Sequence, residues 1–160
     1  MPRGPRIIIK NAFYHIYNRG NQKQNIFHEE TDYEKYLQIL KFYKKKFKFK
    51  LICYCLMPNH FHLLVEPKSS ELLSKFMQGI TQSYTLFYIK KYKKPGRLWQ
   101  GRYQSRAIAK DEYFLACVNY IEANPVRANL VKSPADYKWS SYRERVLGFK
   151  GGMLDIPDST

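Results

Sequence analysis

The sequence predicts an α+β domain: a ferredoxin-like βαββαβ antiparallel sheet with helices packed on it, followed by one further C-terminal helix. Three observations carry that expectation. Two apolar runs, Leu51 to Met57 and Phe61 to Val65, flank a Pro58-Asn59 break, the pattern of two strands joined by a tight turn. Two longer stretches, beginning near Thr31 and Glu71, repeat apolar residues at helical spacing. Taken along the chain, the elements run strand, helix, two strands, helix, strand, helix.

Ile7 to Asn18 contains Ile7-Ile-Ile9 and Phe13-Tyr-His-Ile-Tyr17, a β-branched and aromatic run that predicts the first strand. It stops at the turn signal Arg19-Gly20-Asn21. From about Thr31 to Lys46, Tyr33, Tyr36, Leu37, Leu40 and Tyr43 fall on one helical face, with Thr31-Asp32 as the start cap. Lys41, Lys44, Lys45 and Lys46 close the far side of this helix, as a solvated face or a nucleic-acid contact. After the hairpin of Phe47 to Val65, Pro67-Lys-Ser-Ser-Glu71 breaks the chain and caps a second helix. Its apolar face, Leu73, Phe76, Met77, Ile80, Tyr84, Phe87 and Tyr88, has the spacing of ordinary core packing. A basic loop, Lys90 to Gly96, leads to Leu98–Ile108, read as loop and then fourth strand. Asp111 is the expected N-cap of a third helix running from Glu112 to about Asn124. Beyond Lys138 a short helix and a frayed end from Gly151-Gly152 are expected.

A chain of 160 residues suits one domain, with a core over about 5–130 and a short extension over 131–160. Hydrophobic content of 44% and aromatic content of 16% argue for a folded globule. Lys plus Arg number 28 against 13 Asp plus Glu, a formal net charge of +15. So large a charge repels itself, and the usual reason to keep it is a polyanionic partner: nucleic acid first, an anionic membrane surface second. Met1-Pro-Arg-Gly-Pro-Arg6 leads into a three-residue apolar run, so no signal peptide is expected. No apolar run approaches the roughly 20 residues that span a bilayer. Three cysteines make a disulfide framework unexpected and point to a reducing cytoplasm.

Strand alternation points His60 and His62 to one side of the hairpin and Phe61 and Leu63 to the other. Alone, His-x-His in a strand usually means two partly exposed histidines. It becomes a candidate metal site when other ligands converge on it. At 100° per residue, Phe114, Cys117, Val118 and Ile121 form the buried stripe of the third helix. Tyr113, Tyr120 and Asn124 lie on its flank, and Tyr120 and Asn124 are i, i+4 neighbours. Pro125 places the Asn124 amide at the helix end. If that flank faces the histidines, two imidazoles and the Asn124 carbonyl oxygen suit Mn2+ or Mg2+, leaving positions open for substrate oxygens. A metal there would act as a Lewis acid on a phosphodiester, with Tyr120 as nucleophile. A tyrosine hydroxyl ordinarily titrates near pH ~10, so a base or nearby cations must favour the phenolate, and Lys110 is a candidate helper.

A rival is a two-Cys, two-His zinc site built from Cys53, Cys55, His60 and His62. It depends on the turn: three residues (57 to 59) separate the cysteines from the histidines, whereas two join them on one face. The bland alternative is that the cysteines are buried as small apolar residues. His15 and His28 are read as structural or exposed rather than as ligands.

Five blocks occur in order: Tyr14-His-Ile-Tyr-Asn-Arg-Gly-Asn21, Tyr54-Cys-Leu-Met-Pro-Asn-His-Phe-His-Leu-Leu-Val65, Trp99-Gln-Gly-Arg-Tyr103, Tyr120-Ile-Glu-Ala-Asn-Pro-Val-Arg127 and Trp139-Ser-Ser-Tyr142. Together they resemble the HUH single-tyrosine transposases, most closely the REP-associated tyrosine transposases of bacteria, over roughly residues 5–145. The resemblance implies a single HUH endonuclease domain. It also implies a metal-dependent enzyme that cuts and rejoins single-stranded DNA beside a hairpin, through a covalent 5′-phosphotyrosine and a free 3′-hydroxyl. It makes His60 and His62 the HUH pair, Tyr120 the nucleophile and Asn124 the helix amide beside a Mg2+ or Mn2+ ion. Arg19, Arg102 and Arg127, in or beside matched blocks, become candidate phosphate contacts. The chain departs from the family wording at Glu122-Ala123, where a His-Leu pair is usual, and at Asn129, where Gly is usual. A monomer or homodimer working on nucleoid DNA in the cytoplasm is the implied setting. The alternative is a noncatalytic basic nucleic-acid-binding module on the same scaffold; the strands carry no signature of the RNP1 kind, which counts against it.

Overall fold

The computed structural model describes residues 12–109 and 112–157. Four strands, β1 (Phe13–Arg19), β2 (Lys50–Met57), β3 (His60–Glu66) and β4 (Gln104–Ile108), pair antiparallel in the order β2-β3-β1-β4. Helices α1 (Glu30–Phe47) and α2 (Ser70–Tyr92) join them in the βαββαβ order expected. Then follow α3 (Glu112–Glu122), the short α4 (Asn124–Arg127) and α5 (Tyr142–Leu147). The Ile7–Ile9 run, Lys110 and the Asp111 cap lie outside the described residues.

Alternation along β1 divides the molecule into layers. Tyr14 and Ile16 enter the larger core with Tyr36 and Leu40 of α1 and Phe76, Ile80 and Tyr84 of α2. Phe13 faces the opposite side, into a smaller cluster with Cys53, Cys55, Met57, Leu64, Val118 and Ile121 under α3. The sheet is therefore covered on both faces, and its second face carries the chemistry-bearing residues. A bulge between Leu51 and Cys53 changes the β2 register, so that Leu51 serves the first core while neighbouring Ile52 and Cys53 both serve the second. Gly79 lets α1 and α2 close on each other, since a Cβ there would stand 2.3 Å from the Tyr43 ring.

Three local expectations change. α1 opens on a capping box between Glu29 and Asp32, one turn that uses the Asp32 carboxylate at the third helical position rather than Thr31 as the cap. α3 stops at Glu122, and Asn124 opens α4 with Pro125 in its first turn, where a missing N–H costs nothing. From Met153 to Asp155 the chain is not frayed. Asp155 N donates to Leu51 O at 2.8 Å, and the Asp155 carboxylate accepts from Leu51 N and Lys44 Nζ, both at 3.0 Å. Met153, 6% exposed, fills the main core, so backbone pairing and burial fasten this end along the outer edge of β2. None of the described helices is long and apolar enough to cross a membrane.

Candidate active site

The two-residue turn Pro58-Asn59 fixes the site. Met57 pairs with His60 and Cys55 with His62, so both histidines face the α3 side, 5.1 Å apart between ring centroids. This register also brings Cys53 and Cys55 to that face, the condition the zinc rival required. Yet both thiols are fully buried within the apolar cluster, and burial pushes both above their ordinary pKa. Among the described residues no three His, Cys, Asp or Glu side chains group as a metal site. The cysteines pack as small apolar residues.

α3 lies across this face because Val118 and Ile121, 2% and 0% exposed, enter the smaller core and Phe114 meets Phe13 at 4.6 Å. The flank of that stripe then reaches the histidines. The Tyr120 ring stands edge-on to His62 at 6.0 Å and to His15 at 6.1 Å, while half of the tyrosine remains open to solvent (51%). Asn124 is buried, and its Nδ2 donates to Ile121 O at 3.2 Å and Tyr120 O at 3.4 Å, which leaves Oδ1 as its ligating atom. The Asn124 side chain also lies beside the His60 imidazole. His60, His62, Tyr120 and Asn124 are thus brought together. Tyr113, on the same flank, is largely exposed.

Each imidazole has its Nδ1 engaged. His60 Nδ1 lies 2.7 Å from Asn59 Oδ1, and His62 Nδ1 lies 2.9 Å from His15 Nε2. Asn59 Oδ1 can only accept, which fixes the His60 tautomer whose Nε2 carries a bare lone pair, whereas the proton between His15 and His62 can belong to either ring. Burial holds all three rings below the ordinary imidazole value: His62 at about 3, helped by the nearby His15, and His15 at about 4, helped by the Arg106 charge. For His60, burial and the Arg19 charge outweigh the opposing influence of the Asn124 side chain. The rings are neutral near pH 7, the form that ligates metals. Two neutral imidazoles and an amide oxygen fit a divalent ion of the Mg2+ or Mn2+ kind.

Beside His60 opens a pocket of about 600 Å³, lined by Tyr17, Arg19, Lys23, Gln100, Arg102 and Gln104 among others. Its wall is tied to the sheet by Asn21 N to Leu98 O at 2.8 Å, Gln100 N to Arg19 O at 3.0 Å and Asn18 Nδ2 to Gly101 O at 3.1 Å. Trp99 anchors it to α2 through Nε1 to Thr85 Oγ1 at 2.9 Å. Gly20 permits the bend that starts this wall, because a Cβ there would sit 2.2 Å from Gln24 O. Arg19 and Arg102 therefore converge on one groove, whereas Arg127 sits on the other side, over Tyr120. Sequence reading missed Lys23, and it took His15 as structural or exposed without its place beside His62. The alternation that paired His60 with His62 also aligns His15 with Tyr17, but only the β1–β3 register shows that they border His62.

Comparison with known proteins follows the same line. The family model described as "Transposase IS200 like" matches residues 8–124. A Haemophilus influenzae protein described as a REP-associated tyrosine transposase is 26% identical over 111 residues, covering 62% of this chain. The chain spans 62% of the length of that relative. In fold, a REP-associated tyrosine transposase solved bound to a REP hairpin is similar, with a TM-score of 0.76 at 20% identity, over 100% of this chain and 92% of that one. A transposase structure from Deinococcus radiodurans gives a TM-score of 0.51 at 19% identity, over 76% of this chain and 96% of that one.

Proposed function

The chain belongs to the IS200-like transposase family, and on that premise we propose that it is a single-stranded DNA endonuclease and strand transferase acting beside DNA hairpins, with Tyr120 as nucleophile. The observation that carries this reading is the convergence of four side chains from three elements, β3, α3 and α4. The half-exposed Tyr120 ring lies 6.0 Å from that of His62, and Asn124, one turn further on, meets His60. The relative solved with a REP hairpin supports hairpin-flanked DNA as the substrate class.

In the proposed step the Tyr120 oxygen attacks the scissile phosphorus, its proton leaving to solvent at the open side of the ring. The P–O3′ bond breaks, the 3′ oxygen takes a proton from solvent and leaves as a hydroxyl, and the 5′ phosphate stays on Tyr120. Rejoining is the reverse: an incoming 3′-hydroxyl attacks the phosphotyrosine and frees the phenol. His60, His62 and Asn124 would hold a Mg2+ or Mn2+ ion, which supplies Lewis-acid polarisation of the phosphodiester. The Arg127 guanidinium stacks on the Tyr120 ring at 4.0 Å and steadies that ring for attack. Arg19, Lys23 and Arg102 draw the sugar–phosphate strand along the groove beside His60. Tyr17 offers a ring on which an unpaired base can stack. Tyr120 lies beside the histidines of its own chain, which supports cleavage by a tyrosine acting in cis.

The test is incubation with a labelled hairpin-flanked oligonucleotide and Mn2+, followed by a denaturing gel. A shifted covalent band that Tyr120→Phe abolishes is expected. A band that survives the substitution moves the nucleophile elsewhere. Salt-sensitive binding without any adduct would instead favour the noncatalytic module.

A further inference from the structure

His15 takes no part in the chemistry above, yet it is 7% exposed and stands against the proposed ligands. β1 turns Phe13, His15 and Tyr17 toward α3, and Tyr17 pairs with His62 across the β1–β3 ladder, so His15 is the diagonal neighbour of His62. The two rings stack at 5.1 Å, inclined by 30°, with His15 Nε2 2.9 Å from His62 Nδ1. Tyr17 at 5.1 Å and the edge-on Tyr120 at 6.1 Å hold the His15 ring from its other sides.

A hydrogen bond between two neutral imidazoles contains one proton, and its owner decides what the far side of each ring can do. If His15 Nε2 carried it, His62 would accept at Nδ1 and bear its own proton on Nε2, closing that nitrogen to a cation. If His62 Nδ1 carries it, Nε2 is bare. Resting on the metal reading above, we propose that His15 is a positioning residue: its Nε2 accepts the Nδ1–H of His62 and so fixes the tautomer that presents His62 Nε2 to the metal.

One feature of the site agrees. Asn59 Oδ1 performs the same office for His60 at 2.7 Å, so each proposed ligand has one acceptor behind it. Both acceptors are neutral, where a carboxylate would raise ligand basicity. A centre of neutral ligands backed by neutral acceptors leaves the full charge of a divalent ion for an anionic phosphodiester.

The experiment is Mn2+ titration calorimetry on the full-length protein, with long-range 1H–15N spectra of its histidines in metal-free solution. The wild type is expected to show His62 protonated at Nδ1. His15→Ala should weaken Mn2+ binding by about 10- to 100-fold, and His15→Gln, whose amide oxygen can accept the same proton, should recover most of it. An Nε2-protonated His62 in the wild type overturns the assignment even if His15→Ala fails to fold. Unchanged Mn2+ affinity in both variants overturns it too, leaving the metal reading intact. A wild-type protein that binds no Mn2+ removes the metal reading and this role together.

Discussion

The guanidinium carbon of Arg127 stands 4.0 Å from the centre of the Tyr120 ring, and its Nη2 donates to the Tyr120 carbonyl at 2.9 Å. One side chain therefore grips both the backbone and the ring of the proposed nucleophile. Arg127→Ala should slow covalent adduct formation by about tenfold or more, equivalent to ~1.4 kcal/mol of barrier, because the proposed nucleophile loses the side chain that holds both its ring and its backbone in place. An exposed cation–π contact contributes only about 0.5–1 kcal/mol, so thermal stability should barely move. Single-turnover cleavage read beside a melting curve checks both; a large loss of stability with unchanged adduct rate would make Arg127 structural.

Glu122, 2% exposed, accepts from Ser141 Oγ at 2.6 Å and from Arg145 Nε at 3.0 and 3.2 Å, tying α3 to the segment that opens α5. Arg145→Ala leaves that carboxylate with Ser141 as its named partner. Stripping one side of a buried pair costs about 3–5 kcal/mol, and the partial exposure of Arg145 argues for the lower end. Denaturant unfolding should show it. A Glu122→Gln, Arg145→Met double substitution should be more stable than Arg145→Ala alone, since no unpaired charge remains; equal losses would mean that the pair is not coupled.

Glu122 also marks where sequence reading stopped. A glutamate between Ile121 and Ala123 reads as a departure from the family wording, and only the fold reveals its partners some twenty residues on. What was legible depended on one element at a time. Period two put His60 and His62 on one side of β3, and the 100° sweep put Tyr120 and Asn124 on one flank of the third helix. The turn register was undecidable from composition, because Pro58-Asn59 fits loops of two or three residues equally well. His15 was illegible for a deeper reason: its partner is set by which strands pair, a property of the whole sheet. The docking of Asp155 on Leu51 escaped for the same reason, since a Gly-Gly pair says nothing of a strand edge formed a hundred residues earlier.

Asp32 offers a pH prediction with a definite sign. It is wholly buried, which alone would raise its pKa. Lys91 Nζ at 2.6 Å, the Tyr92 hydroxyl and the backbone N–H groups of His28 and Glu29 more than offset that, and the carboxyl ends below its ordinary value. A depressed folded-state value means that the unfolded chain binds more protons as pH drops through about 4. The contribution of Asp32 is therefore complete above that pH and fades below it. Asp32→Asn should cost about 2–4 kcal/mol at pH 7, with the gap to wild type shrinking as pH falls from 4 toward 2. A gap constant across that range would show that the carboxylate charge is not what holds α1 to the end of α2.

The groove beside His60 makes a claim about ions that can be counted. Arg19, Lys23 and Arg102 border it, and Arg19 Nε donates to Gln100 Oε1, which orients the guanidinium along the wall. If each neutralises one phosphate of a single strand, each releases its share of condensed counterions. The slope of log affinity against log salt should then fall in magnitude by about 0.7 for each alanine substitution. Arg19→Ala, Lys23→Ala and Arg102→Ala together should lower it by about 2, while Arg102→Lys, which keeps the charge, should leave it nearly unchanged. Fluorescence anisotropy with an unstructured oligonucleotide over a salt series measures this without any cleavage. A triple variant with the wild-type slope would mean that the strand runs elsewhere, across Arg127 and the lysines of α1. A reduced slope with normal adduct formation at low salt would show that the groove gathers DNA and Tyr120 cuts it, two functions separable in one small domain.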